Sequence, residues 1–332
     1  MSDKTENINN ILSLFKIQAT CQHITESPNA TYYDLALAPG FRIRAIEKYL
    51  AELTLALRLS YLPTIKILND QGILRLECIK NNAHQKVNLF DLGYKSIRPA
   101  GKLTCLLGET IQGEPLWFDV SESPHILIAG ATGSGKSTLL HTLIANFLLY
   151  PKVSLSLMDP KNVEFYSYGE MEHKRITVSF DYEECLDKIE ALSIEMEERY
   201  RSIREFKMDR SDIPYIVLII DEFADLISQD RTGRFYAALC RLSQKSRAAN
   251  IHIILSTQRP SIDVVSGTIK ANFPTRIACK VSSGVDSRVI LDTVGAQNLL
   301  GRGDALLKTN EPELHRFQVA YTSADEIKRY FK

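Results

Sequence analysis

Five short apolar runs, at residues 125–129, 153–158, 215–220, 251–256 and 276–281, constrain this chain more than any other feature. A strand with one face in water alternates apolar and polar residues. A run without that alternation belongs to a strand covered on both faces, as in a parallel sheet. Stretches of helical periodicity separate the five runs, which gives repeated βαβ units and predicts a doubly wound α/β core.

The first run leads directly into Gly130-Ala131-Thr132-Gly133-Ser134-Gly135-Lys136-Ser137, which satisfies GxxxxGK[ST]. A helical pattern from Ser137 to residue 149 follows, so the motif has its required strand–loop–helix setting. Glycines let main-chain N–H groups converge on phosphate oxygens at the positive end of a helix. Lys136 is expected to reach the β- and γ-phosphates of a bound nucleotide, with Thr138 following in the helix's first turn. The Ser137 hydroxyl is expected to ligate Mg2+. The third run ends in Asp221-Glu222. Asp221 is the candidate second magnesium ligand, and Glu222 the candidate general base for an attacking water. The fourth run ends in Ser256-Thr257-Gln258-Arg259. Gln258 is expected between the phosphate loop and the acidic strand, placed to sense the γ-phosphate. Asp159-Pro160-Lys161, at the end of the second run, is a weaker site candidate, with Asp159 the nucleotide contact and a surface turn the alternative. Phosphoryl transfer also calls for a further cation. Arg241 and Arg247 lie in the predicted helix 235–249, about 240° apart around its axis at 3.6 residues per turn. Either is a candidate to act in trans on a neighbour's nucleotide.

Ahead of this core, Ile8, Ile11, Leu12 and Phe15 mark an amphipathic helix. Residues 31–38 read as a strand, 45–59 as a second helix, and 65–68 with 73–79 as a hairpin around Asn69-Asp70-Gln71-Gly72. Residues 1–97 are therefore expected to form a small α+β domain and 98–332 the nucleotide-binding domain. The Gly- and Pro-containing stretch 98–124 reads as the connector and the entry into the second domain.

Taken together, these residues resemble the FtsK/SpoIIIE DNA-translocase motors of the HerA–FtsK superfamily. The blocks that carry the resemblance are "HILIAGATGSGKS" (125–137), "MDPKNVE" (158–164), "PYIVLIIDEFADL" (214–226) and "RLSQKSRAANIHIILSTQRP" (241–260). "IKANFPTR" (269–276), "VSSGVDSRVIL" (281–291) and "LLGRGD" (299–304) extend it, and "YDLALAPGFRIRAI" (33–46) is similar to the family's α domain. The resemblance implies an α domain followed by a RecA-like P-loop NTPase core. It also implies a homo-oligomeric, hexameric ring that hydrolyses ATP at subunit interfaces and moves double-stranded DNA. Long members carry membrane-spanning helices and a sequence-reading winged-helix domain that these 332 residues lack. The expectation is a bare cytoplasmic motor, with a coupling ATPase of a conjugative or mobile-element system as the alternative. A membrane-anchored protein or a relaxase is the partner such a system would supply.

Composition narrows the choice of contacts. Lys and Arg total 40, and so do Asp and Glu, so bulk charge cannot hold nucleic acid. A motor that grips any sequence must use phosphates and a local set of cations. Arg204, Lys207, Arg210 and Lys270 are the candidates, the last in a segment, 259–270, read as a loop. The 6 cysteines are scattered without CxxC spacing, which fits core thiols in a reducing compartment. There is no apolar signal core at the N-terminus, no HExxH and no GxSxG. Secretion, zinc hydrolysis and serine nucleophile chemistry therefore have no support.

Overall fold

The computed structural model describes residues 2–27, 30–68, 72–80, 87–95, 98–171, 173–311 and 313–331. The chain divides into two compact units, Met1–Gln85 with Ile111–Glu114, and Lys86–Thr110 with Pro115–Lys332. Residues 86–97, grouped with the first domain by sequence, fall with the second unit. Leu89 is buried in that unit's core among Leu103, Leu106 and Leu107.

The first unit comprises α1 (Ser2–Leu14), β1 (Ala19–Glu26), β2 (Ala30–Leu37), α2 (Ile43–Glu47), α3 (Leu50–Ala56), β3 (Thr64–Leu68) and β4 (Ile73–Ile79). Its strands form an antiparallel sheet in the order β1-β2-β4-β3. Ile8, Ile11 and Leu12 of α1 are buried against Leu35, Leu74 and Leu76 of the sheet, as helical spacing predicts. Across β2 and β4, Asp34 lies opposite Arg75 and takes both guanidinium contacts, at 2.6 and 2.8 Å. The single helix expected over 45–59 is two: the chain leaves helical geometry at Tyr49, whose ring stacks on Phe15 at 5.9 Å. The turn residues 69–71 lie outside the described residues.

The second unit continues with α4 (Leu89–Lys95), β5 (Thr104–Thr110), β6 (Pro115–Asp119), β7 (His125–Ala129), α5 (Lys136–Leu148), β8 (Val153–Met158), α6 (Tyr166–Gly169), β9 (Ile176–Ser179) and α7 (Tyr182–Glu205). Then come β10 (Tyr215–Ile220), α8 (Phe223–Gln229), α9 (Arg234–Lys245), β11 (Ile251–Thr257), α10 (Gly267–Asn272), β12 (Thr275–Cys279), α11 (Gly284–Leu291), β13 (Asp304–Lys308), β14 (Leu314–Val319) and α12 (Ala324–Tyr330). One 10-stranded sheet runs β6-β5-β14-β13-β12-β7-β11-β10-β8-β9. The five apolar runs are the parallel strands β12, β7, β11, β10 and β8. Their lack of alternation has the expected cause. Ile126, Ile128, Val217, Ile219 and Ile254 face one core with α5, while Leu127, Leu218, Ile220, Ile253 and Leu255 face another with α7 and α9.

The stretch 98–124 is the entry into the second unit rather than a plain connector. It holds the β5–β6 hairpin, which joins the antiparallel side of the sheet through β14. Among the described residues no helix is long and apolar enough to cross a membrane. All 6 cysteines are free, and all but Cys240 are buried.

Candidate nucleotide site

β11 lies between β7 and β10, so the ends of three adjacent parallel strands deliver the phosphate loop, residues 256–258 and the acidic pair to one edge. The loop is tied down at both ends. Gly130 N donates to Thr257 O at 3.3 Å, and Ala131 N donates to Lys280 O at 2.8 Å. Gly135 caps α5 with φ +102°, a conformation that disfavours any side chain. Behind it, Gly303 N donates to Ser134 O at 2.8 Å, and a Cβ on Gly135 would lie 2.2 Å from that nitrogen. Gly133, also at positive φ, meets nothing within 4 Å of the place a Cβ would occupy. Thr132 and Gly133 are exposed, Ala131, Gly135, Ser137 and Thr138 half-buried, and Ser134 buried.

Lys136 is only 3% exposed. Its Nζ donates to Asp221 Oδ1 at 2.7 Å, to Asp221 O at 3.1 Å and to Ser256 Oγ at 2.8 Å. Glu222 is 1% exposed. Its Oε1 accepts from Thr257 Oγ1 at 2.6 Å, and its Oε2 accepts from Gln258 N at 2.9 Å. The Gln258 side chain turns the other way, its Oε1 accepting from Thr132 Oγ1 at 2.9 Å. Gln258 thus links the phosphate loop to the acidic strand. Lys161 reaches the same corner, 3.1 Å from Asp225 and 3.9 Å from Glu222.

Asp159 stands differently from the sequence expectation of a nucleotide contact. It is fully buried, and its Oδ2 accepts from Val163 N at 2.8 Å and Phe165 N at 2.7 Å, closing the turn 159–165. Burial pushes its carboxyl up; the N–H groups of the turn oppose the shift, and the nearby Asp221 charge adds to it. That turn presents Glu164 to the loop. Glu164 Oε2 accepts from Ser137 Oγ at 2.6 Å, and Oε1 lies 2.8 Å from His141 Nε2. Burial raises the Glu164 carboxyl, but the hydrogen bonds from His141 and Ser137 outweigh it and hold the group below its usual range. Sequence reasoning gave no role to Ser256, Thr257, Glu164 or His141, and it placed Lys161 only within the weaker candidate segment Asp159-Pro160-Lys161. The one available signal was that Glu164 and Lys161 share a short segment following a strand end, where α/β folds place ligands.

The remaining candidates lie apart from this edge. Arg241 is exposed on α9 and pairs with Glu197 at 3.0 Å. Arg247 is not on the same helix: α9 ends at Lys245, and Arg247 sits in the 3-10 turn Ser246–Ala249, donating to Glu122 O at 3.1 Å. The 240° relation derived for one continuous helix therefore does not apply. Arg204 is exposed in the last turn of α7, its Nε 3.3 Å from Tyr200 O, and Lys207 is exposed just beyond at φ +51°. Arg210 donates to Asn250 Oδ1 at 2.9 Å and to Arg247 O at 2.5 Å. Lys270, expected in a loop, belongs to α10, where the Ser266 hydroxyl caps the helix, and pairs with Asp292 at 3.0 Å.

The comparisons with known proteins agree with this geometry. A family model described as the FtsK/SpoIIIE family matches residues 94–212 and 207–262, and one described as the FtsK alpha domain matches residues 1–77. The chain is 35% identical over 339 residues to DNA translocase FtsK of Treponema pallidum (strain Nichols), covering 96% of this chain and 42% of that protein. It is also 35% identical over 339 residues to DNA translocase SftA of Bacillus subtilis (strain 168), covering 96% of this chain and 35% of that protein. It thus spans less than half the length of these relatives. Among solved structures, the conjugation coupling protein TcpA, in its monomer form with ATPγS, matches with a TM-score of 0.69 at 22% identity over 100% of both chains. The cytoplasmic domain of the type VII secretion ATPase EccC of Thermomonospora curvata matches with a TM-score of 0.64 at 24% identity, over 75% of this chain and 34% of that one. These likenesses speak to the fold, that of P-loop ATPases. With family models spanning both its units and curated relatives at 35% identity along nearly its whole length, the chain belongs to the FtsK/SpoIIIE family.

Proposed function

We propose that this chain is an ATP-driven motor that translocates double-stranded DNA. The observation that carries the reading is the meeting of Lys136, Asp221 and Ser256 at three neighbouring strand ends, with Glu222 buried beside them. The relatives' shared description as DNA translocases supplies the substrate.

The phosphates of ATP lie along the N–H groups at the start of α5. Lys136 exchanges its contacts with Asp221 and Ser256 for oxygens of the β- and γ-phosphates. The Ser137 hydroxyl and the Asp221 carboxylate are hard oxygen donors, a set that fits Mg2+. Held by Ser137 and Asp221, Mg2+ would supply neutralising charge to the phosphates. Glu222 accepts a proton from the water that attacks the γ-phosphorus, while the bond to the β-phosphate bridging oxygen breaks. Thr257 Oγ1 and Gln258 N fix the Glu222 carboxylate, and the Gln258 amide reports γ-phosphate through Thr132. Arg247 or Arg241 of a neighbouring copy completes the charge stabilisation, so the working unit is a ring, taken to be hexameric. Arg204, Lys207 and Lys270 contact DNA phosphates, whereas the Arg210 guanidinium stays on Asn250 and the Arg247 carbonyl. The 6 free cysteines favour the cytoplasm.

The test is steady-state ATP turnover with and without duplex DNA, at several protein concentrations. Stimulation by duplexes of unrelated sequence, with activity rising steeply with protein concentration, is the expected result. Folded protein that hydrolyses no ATP under any of these conditions would overturn the reading. Stimulation by a relaxase or membrane partner, but not by DNA, would replace it with a coupling ATPase.

A further inference from the structure

We infer that Glu164 is a positioning residue: it takes the Ser137 hydroxyl proton in a hydrogen bond and so presents the serine oxygen to a divalent cation. The inference rests on the nucleotide-site reading above and deepens it. A hydroxyl carries one proton and two acceptor lone pairs. With the proton directed at Glu164 Oε2, 2.6 Å away, the lone pairs of Ser137 remain for a ligand on the loop side. Donation to a carboxylate also makes the oxygen a better metal ligand, as outer partners do for ligating side chains generally.

Glu164 is itself fixed from both sides. Its other oxygen is 2.8 Å from His141 Nε2, and His141 Nδ1 is 2.8 Å from the hydroxyl of Tyr168, a residue only 1% exposed. Ser137 and His141 are one helical turn apart, so they share a face of α5, and Glu164 spans the pair. The buried Asp159 carboxylate holds the turn that delivers it. A chain Tyr168–His141–Glu164–Ser137 thus runs from the core to the first turn of the helix. A plain helix clamp would need only one of these links; the row of four specifies the direction of a single proton.

The experiment is a titration of mant-ATP, a fluorescent ATP analogue, in EDTA and across a series of Mg2+ concentrations. Glu164→Ala is expected to raise the Mg2+ concentration for half-maximal enhancement of binding about tenfold, the lower end for loss of an outer partner. Its metal-free affinity should stay within about twofold of wild type. Glu164→Gln, nearly the same shape, should give a smaller shift in the same direction and carries the decision if the alanine variant does not fold. His141→Gln should loosen Glu164 and shift the Mg2+ midpoint about threefold. An unchanged Mg2+ midpoint in Glu164→Gln and in a folded Glu164→Ala would overturn the inference alone. So would an affinity loss equal in EDTA and in Mg2+, because that is the mark of a mere packing role. Wild-type protein that binds no mant-ATP in either buffer would overturn the nucleotide reading, and this inference with it.

Discussion

The two edges of the parallel sheet use charged side chains in opposite ways. At the edge where β7, β11 and β10 end, charged groups bond mainly to other side chains: Lys136 to Asp221 and Ser256, Glu222 to Thr257, Glu164 to Ser137. At the edge where the strands begin, they bond mostly to main-chain carbonyls. Arg199 donates to Pro214 O and Ala249 O, and Arg175 to Leu148 O, Tyr150 O and Val153 O. A carbonyl cannot leave without unravelling the turn that holds it, whereas a side chain can rotate to a new partner. One edge is therefore built to exchange partners with a ligand, and the other to stay fixed.

The sharpest way to break this comparison is Glu222→Gln. It keeps the shape and removes the base, so turnover should fall by about 10²–10⁴ while mant-ATP binding survives. Near-normal phosphate release would show that the exchanging edge has been misread. Next in size is Arg175→Met, at the fixed edge. Losing three bonds to carbonyls should cost about 3 kcal/mol in a urea melt, with turnover per folded molecule unchanged. A loss of turnover without loss of stability would blur the division between the edges.

Acidity should act on the fixed edge in particular. His125 and His252 are buried near the beginnings of β7 and β11, and burial lowers them to about 3 and about 4. Within those shifts, His252 and Arg247 help to lower His125 against the Ser243 main chain, and Arg210 and Arg247 help to lower His252 against the Pro124 carbonyl and Asp119. Both rings are thus neutral when folded, whereas the unfolded chain takes up protons below about 6.5. Their contribution to stability is full above about 6.5 and lost as pH falls toward about 4. Urea midpoints measured at pH 7, 6 and 5 should fall in that order, and a His252→Gln variant should show a shallower decline.

The smallest expected effect concerns the exposed cations. Lys207→Ala should flatten the dependence of duplex affinity on salt by about one unit, equally for shuffled sequences. Arg210→Ala should instead behave like a fixed-edge variant, because its guanidinium already holds Asn250 and the Arg247 carbonyl. If both variants change the salt slope alike, bonding to carbonyls does not predict which arginines are free to serve a ligand.

What could be read from the sequence follows the same division. The loop, the acidic pair and the parallel strands are local patterns, and each has a physical reason visible within about ten residues. The antiparallel flank was not legible in that way. Thr104–Thr110 and Pro115–Asp119 are interrupted by Gly108, Gly113 and Pro115, which read as punctuation, yet Gly108 sits at a register shift where β14 passes too close for a side chain. β1 was hidden for a different reason: its residues ATCQHITE are mostly exposed, so no apolar run announced it. Glu164 and Thr257 escaped notice because their partners are 27 and 35 positions away, and only the strand order brings them together.

The contact between Gly135 and Gly303 reaches beyond geometry. Arg302 N and Gly303 N both donate to the phosphate loop, at Gly133 O and Ser134 O, and Val319 N donates to Gly303 O, so the loop is joined to β13 and β14 as well as to its own strand. A Gly-rich segment of eight residues would otherwise lose a large conformational entropy on closing around a ligand. Here most of that ordering accompanies folding, and nucleotide affinity bears little of it. The corollary is mechanical. A load on the phosphate loop is shared at once by the antiparallel strands, which lie outside the parallel core.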